Sequence, residues 1–300
     1  MKILITGAEG QLGKSLALSY PSKIKDDELI IIRANKEVLD LSNDSSCKNI
    51  IEKIKPDWVL NCGAYTAVDQ AEREKNLAFK VNGKGPYYLA KYLRENGGKL
   101  IHISSDFVFD GKNNKPYEID HPLNPINVYG ESKAYGEKLL MSDQNLDNFV
   151  IIRTSWVLSN TGNNFFLNML KLISDRSLIN VVNDQIGCIT LVSNLSKVCW
   201  ELIKLHSNNV EIPKIIHFSD SGICSWFDVA RTINEFALER KILINEPKII
   251  PVTSDFFDLP AKRPNFSLLN SQKTYELINF TPAHWRKSIE ILINSLKSEF

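Results

Sequence analysis

The sequence predicts an α/β fold in which a doubly wound parallel sheet is joined to a smaller C-terminal lobe. Three observations carry that prediction. Short apolar runs rich in β-branched residues alternate with helical stretches through the first half of the chain. The first of these runs ends in a glycine-rich turn that opens a helix. The alternation loosens after about Ser159, where amphipathic helices take over. Apolar strands separated by helices are buried on both faces, and right-handed crossovers wind the helices over both sides of the sheet.

Taken in order, KILITG (2–7) reads as a buried strand ending in glycine, and LGKSLALSY (12–20) as the helix that follows. ELIIIRAN (28–35) is a second strand, SCKNIIEKIK (46–55) a helix, and PDWVLNCGA (56–64) a third strand. Residues 67–96 hold one or two helices, and KLIHISSD (99–106) is the next strand. A helix starting after Pro125 carries Tyr129, and NFVIIRTS (148–155) returns to the sheet. In the second half, 163–176 and 191–206 are helical, the latter with Leu191, Leu195, Val198, Leu202 and Leu205 near one stripe. KIIHFSD (214–220) is one more strand, Ser225 caps a helix over 225–238, 251–267 is loop-rich, and a last helix covers 285–300. This divides the chain into a nucleotide-binding domain over 1–158, completed by parts of 185–220, and a lobe over 159–300 that interleaves with it.

The bulk numbers exclude several classes of function. The chain has 300 residues, 43% apolar and 24% charged, with a net charge of +1. There is no basic excess to hold a phosphate backbone, so nucleic acid is not an expected partner. No apolar run reaches the roughly 18 residues of a membrane span, and the N-terminus lacks the features of a signal peptide. The five cysteines, at 47, 62, 188, 199 and 224, form no CxxC and suit reduced thiols in a cytoplasmic protein. The histidines show no HExxH spacing, and no metal centre is expected.

The motif GAEGQLG places Gly7, Gly10 and Gly13 between a strand and a helix, the setting of a Rossmann-type dinucleotide site. Gly7 permits the tight turn, Gly10 lets the backbone approach a pyrophosphate, and Gly13 lets the helix pack on the strand. The helix N-terminus then offers unpaired N–H groups to the phosphates. At the end of the second strand, where a carboxylate would bind a ribose 2′-hydroxyl, the chain has Arg33, Asn35 and Lys36. A guanidinium suits a 2′-phosphate, so Arg33 favours NADPH, with NADH as the other candidate. Asp40 and Leu41 are placed to flank the adenine, although Asp40 is equally suited to a turn or a helix cap.

Tyr129 and Lys133 are four residues apart, one turn of a helix, but so are Tyr87 and Lys91. Position separates the two pairs. The strand KLIHISSD ends at Ser105, and ligands of a doubly wound sheet bind beyond the carboxyl ends of its strands. Tyr129 and Lys133 follow that end, whereas Tyr87 and Lys91 precede the strand. A nearby lysine and a positively charged nicotinamide would both lower the pKa of a tyrosine, which is about 10 when free. Tyr129 would then protonate a carbonyl oxygen as hydride reaches its carbon, while Ser105 holds that oxygen and Lys133 orients the nicotinamide ribose.

Beyond these residues, GAEGQLG, NCGAYTAVDQAE, SSDFVFDG, YGESK, RTSWV, NNF, DQIG and RP occur in an order that resembles the dTDP-4-dehydrorhamnose reductase family, within the extended short-chain dehydrogenase/reductases. The resemblance runs over essentially the whole chain. It implies reduction of the C4 ketone of dTDP-4-dehydro-6-deoxy-L-mannose to dTDP-L-rhamnose, with NAD(P)H held by the large lobe and the nucleotide-sugar by the small one. It implies a catalytic set of Ser105, Tyr129 and Lys133, and cofactor contacts at Gly10, Gln11, Leu12, Asp40, Leu41, Ala64, Tyr65 and Thr66. It implies substrate contacts at Asp106 and Trp156, and at Arg263, whose guanidinium would grip a diphosphate.

The chain departs from the family pattern at Ile189, where proline is expected, and at Phe266, where asparagine is common; both are expected to shape the sugar-nucleotide site. Lys14 and Ser15 stand near where some members have a glutamate for a dimer-bridging magnesium, so neither that metal nor its dimer is carried over, and a homodimer of another kind stays open. Two further functions share the tyrosine–lysine pair or the fold: a nucleotide-sugar epimerase or dehydratase with bound NAD, and a non-catalytic NADP-binding regulatory subunit.

Overall fold

The structure is a computed structural model and describes residues 1–244 and 246–296. Its centre is a six-stranded sheet. From one edge to the other the strands are Ile30–Ala34, Lys2–Thr6, Trp58–Asn61, Lys99–Ser105, Phe149–Thr154 and Ile215–Phe218, and every neighbouring pair is parallel. The order reverses at the first strand, whose neighbours are the second and third strands of this sheet in sequence. That reversal opens a crevice beyond the strand ends, the usual ligand position in such sheets.

Alternate side chains of each strand feed opposite faces, so one apolar run supplies two cores. Ile3 and Ile5 join Leu60, Ile101 and Ile152 against the helices Gln11–Ser19 and Val192–Ser207. Leu4 joins Val59, Leu100 and Ile151 against Asp44–Ile54, Gly85–Glu95 and Val128–Ser142. A third core lies apart from the sheet. It is built by Phe166, Met169, Val229, Ile233, Ile289 and Ile293 from three helices, Phe165–Asp175, Trp226–Glu239 and Trp285–Leu296. The last helix was expected to run to residue 300; positions 297–300 lie outside the described residues.

Two details differ from the sequence reading. Leu178–Val182 and Lys248–Val252 form a parallel two-stranded pair in the C-terminal lobe. The second strand overlaps the stretch expected to begin a loop, because Pro251 speaks against a central strand but is tolerated where only one neighbour exists. Residues 67–96 resolve into short helices at Val68–Ala71 and Lys75–Ala78, a π-helical turn at Phe79–Lys84, and the helix Gly85–Glu95. π turns often mark functional positions, and this one carries Asn82 to the edge of the crevice.

Candidate active site

The glycine loop takes its shape from crowding. Gly7 has φ +57, and a Cβ there would lie 2.7 Å from Gly63 of the neighbouring loop. Only glycine allows both the left-handed turn and that approach. Gly10 precedes the helix Gln11–Ser19 as its N-cap, and no side chain caps the helix. Its first-turn N–H groups therefore remain available to an anion. Gln11 ties the loop to the C-terminal lobe, its Oε1 accepting from Ser159 Oγ at 2.7 Å and Asn164 Nδ2 at 3.0 Å.

A cleft of about 840 Å³ runs from this loop to the tyrosine helix. Its wall includes Gly7, Gly10, Gln11, Leu12, Asp40, Leu41, Ala64, Tyr65 and Thr66 on one side, and Ser105, Asp106, Tyr129, Lys133 and Trp156 on the other. A volume of this order suits a dinucleotide or a drug-sized ligand. Three residues expected at the site do not line the cleft. Gly13 lies behind the loop, where its absent Cβ lets the helix pack on Ala8. Arg33 is exposed and paired with Glu9 at 2.8 Å, while Lys36 is the cation on the wall at that end. Arg263 forks onto Asp69, with N–O distances of 2.8 and 2.6 Å, and also donates to the Ala261 carbonyl.

The tyrosine helix starts where its sequence caps it. Asn127 Oδ1 accepts from Gly130 N at 2.8 Å, while Asn127 Nδ2 donates to the Lys262 carbonyl and so holds the C-terminal segment as well. Lys133 is buried and its Nζ donates to the Ile103 carbonyl at 2.9 Å. Ser105 Oγ donates to Asp106 Oδ1 at 2.8 Å and accepts from Phe107 N. The Tyr129 ring meets Phe107 edge-on at 5.6 Å. Tyr87, the other member of the spacing pair, donates instead to Asp143 away from the cleft.

The electrostatics differ from the sequence expectation in one respect. Burial pushes the Tyr129 phenol up to about 12; the Ser105 hydroxyl works against this and the Asp106 carboxylate adds to it. The polypeptide alone therefore keeps Tyr129 protonated at neutral pH, because desolvation of a phenolate outweighs nearby charge. Burial lowers Lys133 to about 8, with Glu137 and Cys62 opposing the shift. Asp106 is raised by burial to about 6, held down in part by the Ser267 and Ser105 hydroxyls, and its Oδ2 is buried without a hydrogen-bond partner.

Trp156 carries a backbone signal of its own. It sits at φ +46, rare for a bulky residue; its ring stacks on Trp226 at 3.9 Å and lies so close to Gly187 that a Cβ there would come within 3.0 Å of it. Such strain persists only where surrounding structure imposes it, and it concentrates at ligand sites. Asn82, which the sequence alone did not single out, is buried behind the cleft wall and supports it. Its side chain brackets the Tyr65 backbone at 2.8 and 2.9 Å and donates to Ser132 Oγ, joining the cleft loop to the tyrosine helix. No local pattern in the sequence marked it; the π turn that places it is a feature of the folded chain.

The two departures from the family pattern lie outside the wall of the cleft. Ile189 is fully buried in the C-terminal core, and Phe266 packs toward Tyr117; neither lines the cleft. Ile189 packs within the C-terminal core, while Phe266 lies between that core and the cluster of Val108, Phe109 and Tyr117.

The profile of the RmlD substrate binding domain matches residues 1–298. The dTDP-4-dehydrorhamnose reductase of Aggregatibacter actinomycetemcomitans is 34% identical, covering 96% of this chain and 97% of that one. The chain belongs to the dTDP-4-dehydrorhamnose reductase family. A spore coat polysaccharide biosynthesis protein of Bacillus subtilis, SpsK, is 38% identical over 96% of this chain and 95% of its own. Among solved structures, the family member from Bacillus anthracis, in complex with NADP, superposes with a TM-score of 0.87 at 34% identity, covering 98% of this chain and 99% of that one. The family sequence features gathered on this cleft are the glycine loop, the NCGAYT turn, the serine strand end and the tyrosine helix.

Proposed function

We infer that the protein is an NAD(P)H-dependent oxidoreductase that reduces the C4 ketone of dTDP-4-dehydro-6-deoxy-L-mannose, giving dTDP-L-rhamnose. The observation that carries this reading is the common cleft of the glycine loop and the Ser105–Tyr129–Lys133 set. The uncapped helix N-terminus and the approach at Gly7 and Gly63 fit a dinucleotide pyrophosphate. The NADP held by the Bacillus anthracis relative supports NADPH as the donor, with NADH second. Gly10, Gln11 and Leu12 hold its phosphates, Asp40 and Leu41 its adenine end, and Ala64, Tyr65 and Thr66 the opposite wall. When bound, the reduced nicotinamide supplies two electrons to the ketone carbon.

The chain's own groups supply the rest. Ser105 Oγ is fixed by Asp106 and by the Phe107 amide, so its position is set before a substrate arrives. Its single O–H, turned from Asp106 Oδ1 to the ketone oxygen when substrate is seated, orients that oxygen. Tyr129, protonated at neutral pH, gives that oxygen its proton. The Lys133 ammonium stabilises the phenolate left behind and orients the cofactor ribose. Asp106 and Trp156 border the sugar. Arg263 acts through Asp69 as a clasp between the segment before Pro264 and the short helix Val68–Ala71. Residues 1–158 with Val192–Phe218 form the nucleotide-binding part, and the rest is mainly the substrate lobe. A cytoplasmic location belongs to the same reading, supported by five unpaired cysteines.

The test is incubation of the purified protein with NADPH and freshly prepared dTDP-4-dehydro-6-deoxy-L-mannose. The expected result is loss of nicotinamide absorbance with dTDP-L-rhamnose formed in equal amount. Conversion of the sugar without net loss of NADPH would overturn the reductase reading in favour of an epimerase.

A further inference from the structure

Behind the tyrosine helix lies a buried charged network that takes no part in the proton or hydride transfer. Tyr129, Lys133 and Glu137 recur every four residues and so share one face of the helix Val128–Ser142. Glu137 is 1% exposed and its carboxylate is saturated. Arg153 Nε donates to Oε1 at 3.1 Å and to Oε2 at 3.0 Å, and another guanidinium nitrogen donates to Oε2 at 2.7 Å. Ser104 Oγ donates to Oε1 as well. Ser104 is the residue before Ser105, so the strand end that presents the catalytic serine is tied to the same carboxylate.

Arg153 is itself held in place. A guanidinium nitrogen donates to the Ile119 carbonyl at 2.9 Å and contacts His217 Nε2 at 3.2 Å. His217 Nδ1 lies 3.0 Å from the Tyr117 carbonyl. A carbonyl can only accept, so the proton sits on Nδ1 and Nε2 accepts from Arg153; the ring is neutral. One carboxylate therefore links the tyrosine helix, the serine strand, the adjacent strand Phe149–Thr154 and the loop around Tyr117.

We propose that Glu137 is a positioning residue of the reductase, holding the Lys133 ammonium charged inside the protein and fixing the Tyr129–Lys133 face against the Ser105 strand end. The groups facing Lys133 leave Glu137 as the source of compensating charge. From its own helix come Tyr129 and Glu137; from the neighbouring strands come His102, in Lys99–Ser105, and Cys62, just past Trp58–Asn61. Burial keeps the Cys62 thiol and the His102 imidazole neutral, and Tyr129 is protonated. A buried ammonium without an opposing charge releases a proton and becomes the neutral amine. Glu137 opposes that release from one helical turn away, while Arg153 and Ser104 keep the carboxylate from turning aside.

The inference rests on the reductase reading, and the experiment separates the two. Wild-type turnover with NADPH is measured first across pH, and the alkaline limb of kcat/KM is expected near the Lys133 value of about 8. In Glu137→Gln, which keeps the shape and an accepting oxygen, the limb should move by about one unit to lower pH. The pH at which NADPH affinity weakens, read by nicotinamide fluorescence, should move with it. If Glu137→Gln does not fold, Glu137→Gln/Arg153→Met leaves neither charge buried alone, and its limb should shift in the same direction. A folded variant whose limb coincides with wild type, with only its melting temperature lowered, would overturn the proposal. If wild type shows no turnover the reductase reading fails, and the pH dependence of NADPH binding alone then decides the role of Glu137.

Discussion

Two glycines of one loop should respond to the same substitution in different ways. In Gly13→Ala the new Cβ would lie 2.4 Å from the Gly7 carbonyl oxygen, 2.6 Å from Ala8 Cα and 2.9 Å from Ala8 C. All three are backbone atoms, so no side chain can swing aside. Ordinary heavy-atom contact is near 3.5 Å, so the helix Gln11–Ser19 must move off the loop by about 1 Å. Overpacking of this kind costs about 1–3 kcal/mol. For a chain of this length that lowers the melting temperature by roughly 2–5 °C. If the strain is relieved by opening the phosphate turn, NADPH affinity falls by about ten- to a hundredfold. Gly10→Ala is the contrast. Its Cβ would meet only the Gly7 carbonyl oxygen, at 3.2 Å, and Gly10 has φ −75. Stability should change by less than about 1 kcal/mol, while NADPH binding drops because the methyl stands where the pyrophosphate approaches. Thermal melts and fluorescence titrations of both variants form the assay. Equal melting temperatures and equal affinities for wild type and Gly13→Ala would refute the packing argument. A destabilised Gly10→Ala with normal NADPH affinity would refute the placement of the phosphates.

The other predictions are briefer. Tyr129→Phe should lower kcat by at least about a hundredfold with NADPH binding retained, whereas Tyr87→Phe, which loses only a bond to Asp143, should leave kcat within about twofold; steady-state kinetics and fluorescence titration of the two variants decide it. Lys36→Ala should weaken NADPH more than NADH, while Arg33→Ala, whose guanidinium is engaged by Glu9, should change the two equally; a preference that moves only with Arg33 would restore the sequence expectation. Burial lowers His217 from its ordinary 6.5 to about 3, so its contribution to stability is present above about 6.5 and is lost as pH falls toward 3. Between pH 7 and pH 5 the stability advantage of wild type over His217→Gln should shrink by about 2 kcal/mol; denaturant melts at both pH values would show parallel losses if His217 were protonated in the fold.

Much of the framework was legible before the structure. The continuous apolar runs around Ile3, Val59 and Ile151 belong to strands of one sheet, because burial on both faces leaves no polar face to interrupt them. Ser105 lies at a strand end and Tyr129 in the first turn of a capped helix. Less legible were features that depend on neighbours distant in the chain. The strand Lys248–Val252 contains a proline and is a strand only because Leu178–Val182 pairs with it. The packing of Ile189 in the C-terminal core and of Phe266 on Tyr117 likewise depends on residues far away in the chain.

What the sequence by itself determined are the local arrangements: strand, phosphate turn and helix at Gly7–Gly13, and the one-turn spacing of Tyr129 and Lys133. These follow from backbone sterics and helix geometry over a few residues, and nothing distant is needed to define them. Only the tertiary structure decided which charges are already engaged. Arg33 meets Glu9 across 24 residues, Arg263 meets Asp69 across 194, and Arg153 meets Glu137 across 16 in a buried network. A guanidinium in a sequence does not reveal whether it awaits a phosphate or already holds a carboxylate. Its partner is set by which elements the sheet brings together, and its protonation neighbours by how much water that packing removes.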